Sequence, residues 1–213
     1  MNIVVLISGS GTNLQAIIDA VEAGKINGKL SAVISNRPDA MGLTRARNHG
    51  IEAVVVDHTG YGSREAFDAD LLQAIEHYQP DLVVLAGFMR ILTDHFVDHF
   101  SGRMLNIHPS LLPKFKGLNT HQRALEEGEA EHGCSVHFVS SELDSGAVIG
   151  QAKVPVEVND TAESLSEKVQ QQEHALYPAC VALFCSKAIR LTADGVLYQG
   201  SLLPATGLDL TEE

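Results

Sequence analysis

The strongest constraint on this chain is a rhythm: short apolar runs alternate with segments whose apolar residues recur at helical spacing. Asn2 to Ile7 (NIVVLI) breaks off in S-G-S-G-T-N, after which Leu14, Ile17, Ile18 and Val21 mark one face of a helix. Leu30 to Ser35 predicts a second strand, Gly42 to His49 a short helix, and Ala53 to Val56 a third strand. Ser63 to Tyr78 places Phe67, Leu71, Leu72 and Ile75 on one helical face. Leu82 to Ala86 follows as a strand, Thr93 to Phe100 as a short helix, and Arg103 to Ile107 as the next strand. Strands this apolar need cover on both faces, so the alternation implies an α/β fold with a doubly wound, mostly parallel sheet. In such sheets ligands sit outside the carboxyl ends of strands. The Gly-rich turn, the Gly87 to Leu92 segment and His108 all follow strand ends and are expected to converge on one edge.

After Gly128 the pattern changes. Cys134 to Ser140 and Val148 to Val156 are joined by S-E-L-D-S-G, a loop rather than a crossover, which predicts an antiparallel C-terminal portion. A long helix is expected from Thr161 to about Cys185, Gly195 sits in a small hairpin, and the acidic tail ending in Glu212-Glu213 is expected to fray. With 213 residues, 45% of them hydrophobic, one α/β domain can build its core without staples or metals.

Charge and cysteine content narrow the functional classes. Fifteen Lys and Arg against 27 Asp and Glu give a formal charge of −12 with no basic run, which disfavours nucleic acid and anionic lipid as partners. A single phosphate remains accessible to a few backbone amides. Cys134, Cys180 and Cys185 form no C-x-x-C pair, so neither a disulfide framework nor a thiolate metal cage is indicated. No stretch approaches the roughly 18 apolar residues of a membrane span, and the first strand begins near residue 2 without a leader pattern, so a cytoplasmic protein is expected.

G-S-G-T-N after an apolar strand suits a phosphate held by Gly11, Thr12 and Asn13, because glycine lets the backbone approach the anion and a helix start offers amides. A dinucleotide fingerprint would need a third glycine where Leu14 stands and an acidic residue near Ser35-Asn36-Arg37. A turn serving chain reversal alone is the competing reading.

The stretch MLNIHPSLLPKFKG places Asn106 and His108 on one side of a strand end, with Ile107 on the other. An amide donor beside an imidazole can stabilise charge on an oxygen during attack at a carbonyl, while the ring supplies or shuttles a proton; a buried histidine satisfied by a backbone carbonyl is the competing reading. A histidine acting as general acid needs a carboxylate to orient it and favour its charged form. Asp144, followed closely by Gly146, is the candidate and Glu142 its competitor; an ordinary turn aspartate is the plain alternative. His95 and His99 have metal-binding spacing on a helix, but no third ligand is apparent, and no metal is expected. His132 and His137 differ by an odd number and are expected to face opposite sides of a strand. No G-x-S-x-G nucleophile motif occurs.

Taken in order, ISGSGTNLQAI, DLVVLAGFMRIL, LNIHPSLLPKFKG, HGCSVHFV and ELDSGAVIGQAKVPV resemble the phosphoribosylglycinamide formyltransferases of de novo purine synthesis, from Asn2 to about Leu183. The resemblance implies a Rossmann-like formyltransferase fold and transfer of the formyl group of 10-formyltetrahydrofolate to the glycyl amine of a ribonucleotide, phosphoribosylglycinamide, without metal. By position, Asn106 would bond the developing oxyanion, His108 would be the general acid and Asp144 would hold it. Gly11, Thr12 and Asn13 would bind the substrate phosphate, and Glu173 would contact the ribose or amine region. Arg64 and Arg90 match positions near the folate glutamate tail, Met89, Arg90, Ile91 and Leu92 border the pterin, and the loop from Ser140 to Asp144 closes over it. Residues 1–100 would form the nucleotide-phosphate half, 101–185 the catalytic and folate half, and 186–213 a hairpin and tail, in a monomer or weak homodimer.

A methionyl-tRNA formyltransferase would be expected to add a basic RNA-binding domain, and a formyltetrahydrofolate hydrolase an amino-terminal regulatory domain. Neither matches this acidic chain, whose first strand starts at residue 2. A noncatalytic nucleotide-binding module would have no need of Asn106, His108 and Asp144 together.

Overall fold

The computed structural model describes residues 1–212. In its first unit, Met1–Asn106, strand and helix alternate: β1 (Asn2–Ile7), α1 (Thr12–Glu22), β2 (Lys29–Ser35), α2 (Met41–Asn48), β3 (Glu52–Val55), α3 (Arg64–Glu76), β4 (Leu82–Leu85), α4 (Asp94–His99) and most of β5 (Met104–His108). The strands pair in parallel in the order β3-β2-β1-β4-β5. Ile3 to Ile7 and Leu82 to Val84 have no exposed surface, which is why these strands carry unbroken apolar runs. The strand order reverses at the β1/β4 boundary, a topological switch point. Leu6 stands beside Leu85, and Leu85 beside Asn106, so the segments after β1 and β4 leave from the edge where Asn106 ends the first unit.

The second unit runs from Ile107 onward. It contains α5 (Thr120–Glu126), β6 (Glu131–Phe138), β7 (Val148–Pro155), α6 (Ala162–Cys185), β8 (Ile189–Thr192), β9 (Gly195–Tyr198), β10 (Ser201–Leu202) and β11 (Leu208–Asp209). β6 and β7 pair antiparallel, β11 adds in parallel to β7, and β8, β9 and β10 form a small antiparallel sheet. Thr161 and Ser164 cap the start of α6 reciprocally, satisfying two helix-end groups that would otherwise lack partners. Pro178 removes one N–H from the α6 ladder. The helix nevertheless continues, because Leu176, Tyr177, Cys180 and Val181 bury its inner face.

The fold is thus a mostly parallel sheet flanked by helices, with antiparallel strands toward the C-terminal end, as the alternation implied. Three local expectations change. α5 was not apparent in the sequence, and β6 begins at Glu131 rather than Cys134. The tail does not fray through Glu212: β11 pairs with β7, Leu210 N donates to Gln151 O at 2.8 Å, and Glu212 exchanges two hydrogen bonds with the Gln172 amide. Glu213 lies outside the described residues.

Candidate active site

His108 ends β5 and is buried, 6% exposed. Its Nε2 lies 2.8 Å from the carbonyl oxygen of Phe115, and its Nδ1 lies 3.5 Å from Asp144 Oδ2. The first is a hydrogen bond; the second is ion-pair range, longer than a good hydrogen bond. Asp144 Oδ2 also accepts from Gly117 N at 2.9 Å. Glu142, the competing carboxylate, is exposed and faces Lys116 at 3.7 Å. The Asp144 loop returns tightly against β6 because residue 146 is glycine: a Cβ there would collide with the Phe138 carbonyl oxygen. Asp144 itself has φ of 50°, a left-handed conformation that aspartate tolerates better than most residues. Asn106, two residues before His108 on the same strand, projects to the same side.

The loop that follows His108 is gripped carbonyl by carbonyl. Thr120 Oγ1 donates to Pro109 O at 2.6 Å, Ser135 Oγ to Ser110 O at 2.7 Å, Gln151 Nε2 to Leu112 O at 2.8 Å and Ser110 Oγ to Lys114 O at 2.6 Å. Ser135 Oγ in turn accepts from Leu112 N at 3.0 Å and from Gln151 Nε2 at 2.9 Å. Ser110, Ser135, Thr120 and Gln151 are all buried, so each bond replaces water that the loop cannot reach. Sequence reasoning did not find these residues. The available signal was a polar Ser135 and Gln151 on strands that are otherwise mostly buried and apolar.

Three further histidines, His121, His132 and His137, interact electrostatically with His108. His121 Nδ1 and His132 Nε2 are 3.0 Å apart. Burial holds the pKa of His132 down to about 4, with the His121 charge adding to it and Glu129 opposing. Burial, then the charge of His108, lowers His121. His137 is likewise pushed down by burial, against the pull of the Phe138 carbonyl and Asp144. The pairing of β6 with β7 shifts register between Val136 and His137, where Ile149 of β7 is the extra residue. The His132 and His137 rings both feel the charge of His108.

In the first unit the Gly-rich turn is built for close approach. Gly11 is buried at φ of 72°, and a Cβ on it would stand 2.7 Å from the Cα of Gly42 at the start of α2. Gly42 N donates to Gly9 O at 3.0 Å, and Arg45 Nε to Ser10 O at 2.7 Å, so α2 holds the turn from behind. α1 then opens at Thr12 and Asn13, with no acidic residue in its first turn to oppose an anion.

The segment from Met89 to Leu92 is pinned at both ends. Met89 N donates to Ser8 Oγ at 2.8 Å, and Thr93 N donates to Asp68 Oδ2 at 2.6 Å. Between them, Met89 and Ile91 expose 70% and 62% of their surfaces, an apolar pair suited to a flat ring. Arg90 lies over the Phe67 ring at 5.0 Å, and the exposed Arg64 begins the same helix one turn earlier. Ser140 Oγ donates to Glu142 O at 3.1 Å, shaping the start of the Asp144 loop. Glu173 is half-buried on α6, where its charge helps push the Cys134 thiol up after burial has done most of it. His99 is taken by Glu76 at 2.9 Å. Among the described residues, no group of three or more His, Cys, Asp or Glu side chains is arranged to hold a metal ion. No helix among them is long and apolar enough to cross a membrane.

An imidazole and a carboxylate are buried together after a parallel strand, with an amide two residues ahead, an arrangement whose chemistry can stabilise charge on a carbonyl oxygen. The chain belongs to the formyl transferase family, whose model matches residues 1–181. It is 54% identical to the phosphoribosylglycinamide formyltransferase of Escherichia coli (strain K12) over 207 residues, 97% of this chain and 98% of that protein. The enzyme of the same name from Haemophilus influenzae is 45% identical over 205 residues, 96% of this chain and 97% of that protein. Among solved structures, the phosphoribosylglycinamide formyltransferase of Coxiella burnetii superposes with a TM-score of 0.94 at 48% identity, covering 98% of both chains.

Proposed function

We propose that this chain transfers the formyl group of 10-formyltetrahydrofolate to the amine of 5-phosphoribosylglycinamide, giving the N-formyl ribonucleotide and tetrahydrofolate. The observation that carries the chemical reading is the buried His108, held between the Phe115 carbonyl and the Asp144 carboxylate two residues after Asn106. Formyl folate supplies an electrophilic carbon with a nitrogen leaving group. An amine attacking that carbon drives negative charge onto its oxygen, where the Asn106 amide and a His108 imidazolium would each contribute typically a few kcal/mol. Asp144 would hold the ring and offset its charge. The departing nitrogen takes up a proton, which His108 would give; no covalent enzyme intermediate is needed.

The remaining roles follow the resemblance and suit the local chemistry. Gly11, Thr12 and Asn13 would hold the phosphate, and Glu173 the ribose or amine region. Arg64 and Arg90 would meet the carboxylates of the folate tail, while Met89, Arg90, Ile91 and Leu92, with the loop from Ser140 to Asp144, would enclose the pterin. Residues 1–100 would thus supply the phosphate site, 101–185 the catalytic groups, and 186–213 a structural hairpin and tail. We further propose a cytoplasmic enzyme, monomeric or weakly dimeric, that does not bind nucleic acid, in keeping with its charge of −12. The test is an assay of the purified protein with 10-formyltetrahydrofolate and three acceptors: the glycinamide ribonucleotide, free glycine and water. Transfer to the ribonucleotide alone is expected, whereas release of formate to water without transfer would assign a hydrolase instead.

A further inference from the structure

We infer that the turn from Phe115 to Gly117, held by Arg123, fixes which nitrogen of His108 carries the mobile proton: the Phe115 carbonyl keeps a proton on Nε2, so the proton that moves is the one on Nδ1. This deepens the formyl-transfer reading and rests on it for the identity of the proton acceptor. A carbonyl oxygen can only accept, so a bond of 2.8 Å between it and Nε2 requires an N–H there. The neutral ring is then the Nε2–H tautomer, with the Nδ1 lone pair on the side of Asp144. The imidazolium adds its second proton at Nδ1, 3.5 Å from the carboxylate. Delivering that proton to the departing folate nitrogen, directly or through a water, leaves the neutral Nε2–H ring. The proton released by the attacking amine then restores the imidazolium.

The turn is an unusual piece of backbone to find beneath a catalytic ring. Phe115, Gly117 and Asn119 have φ of 55°, 80° and 56°, three left-handed residues in five. Glycine and asparagine adopt that conformation readily, but for phenylalanine it costs on the order of 1–3 kcal/mol and persists only where the surroundings enforce it. The enforcing group is Arg123. Its guanidinium lies over the buried Phe115 ring at 5.3 Å, while Nη1 donates to Lys116 O at 2.6 Å and to Leu118 O at 3.2 Å. The same turn presents the Gly117 N–H to Asp144 at 2.9 Å. One short segment therefore orients both members of the pair, the ring through a carbonyl and the carboxylate through an amide. Phe115 and Arg123 are positioning residues, not groups that meet substrate.

The proton is read directly by 15N NMR on the full chain with labelled histidine and no ligand, with His108→Gln identifying the resonances by their loss. With the ring titrated to its neutral form by raising the pH, protonation at Nε2 is expected; protonation at Nδ1, or comparable amounts of both tautomers, would overturn the inference. Phe115→Gly and Phe115→Val supply a second arm, since both delete the aromatic ring but only valine resists a positive φ. The glycine variant should keep the Nε2–H ring. The valine variant should give mixed tautomers and lose about tenfold or more in kcat with KM little changed. Indistinguishable tautomers in the two variants would remove the Phe115 backbone from this role, and should either fail to fold, the parent spectrum decides alone. Because that spectrum is taken without substrates, an Nε2–H ring in a protein that transfers no formyl group would defeat the functional reading and leave the tautomer assignment standing.

Discussion

Asp144 Oδ2 stands 3.5 Å from His108 Nδ1 and accepts the Gly117 N–H at 2.9 Å, so one carboxylate oxygen serves the ring and the turn that shapes it. Asp144→Asn keeps the side-chain volume and tolerates the left-handed φ of 50°, but removes the charge. Turnover is expected to fall roughly 10²–10⁴-fold with an unchanged circular dichroism spectrum. Steady-state kinetics on the refolding-competent variant check this, and a kcat within a factor of two or so of the parent would remove Asp144 from the mechanism.

Ser8 links two parts of the first unit through a single buried hydroxyl, which accepts from Met89 N at 2.8 Å and donates to Asn36 Oδ1 at 2.5 Å. Ser8→Ala leaves that amide without its partner, at a cost of about 1–3 kcal/mol in denaturant unfolding. KM for the folate is expected to rise more than KM for the ribonucleotide, because the freed segment is the one bearing Met89 to Leu92. A selective rise for the ribonucleotide instead would place that segment outside the folate site.

Gly11→Ala forces a Cβ to 2.7 Å from Gly42 Cα in a conformation with φ of 72°. The turn must shift, so KM for the ribonucleotide should rise about tenfold or more, with the folate KM less affected. The parent should also bind a phosphate-free glycinamide riboside far more weakly than the nucleotide by calorimetry. Equal affinity for the two would take Gly11 to Asn13 out of the phosphate site.

Acid should destabilise this fold through its buried histidines. Burial places the folded pKa of His132 near 4 and lowers His121 as well, below the unfolded value of about 6.5. Below that value the unfolded chain binds more protons, so the contribution of these rings is fully present above it. It is lost as pH falls through the folded values, a cost for His132 on the order of 3 kcal/mol. Urea unfolding at several pH values between 7.5 and 4 checks this. His132→Gln, which removes the titrating ring, should flatten the dependence, and an unaltered slope would contradict the assignment.

What the sequence conveys and what it hides follow from the range of the interactions. Strand and helix alternation is local, so β1 to β5 and their helices were legible from apolar spacing alone. The pairing of a strand-end histidine with a loop carboxylate could be narrowed to Asp144 or Glu142, but only the fold sends Glu142 to Lys116. α5 was hidden because it is seven residues long and starts from a left-handed Asn119 without a side-chain cap. β11 was hidden because two residues carry no periodicity; its pairing with β7 depends on partners some sixty residues away. Phe115 gives no signal at all, since nothing in an aromatic residue announces a positive φ. Ser8, Ser135 and Gln151 act on backbone groups distant in sequence, and their spacing carries no record of it.

The most direct test of the proposed chemistry is a single-turnover formyl transfer with His108→Ala, at concentrations of 10-formyltetrahydrofolate and glycinamide ribonucleotide that saturate both parent and variant. Saturation removes binding from the comparison, so the rate reports the transfer step itself. The rate constant is expected to fall by about two orders of magnitude or more, with the variant still folded and still binding both substrates. A rate near that of the parent would contradict a proton-donating role for His108 and, with it, the proposed mechanism.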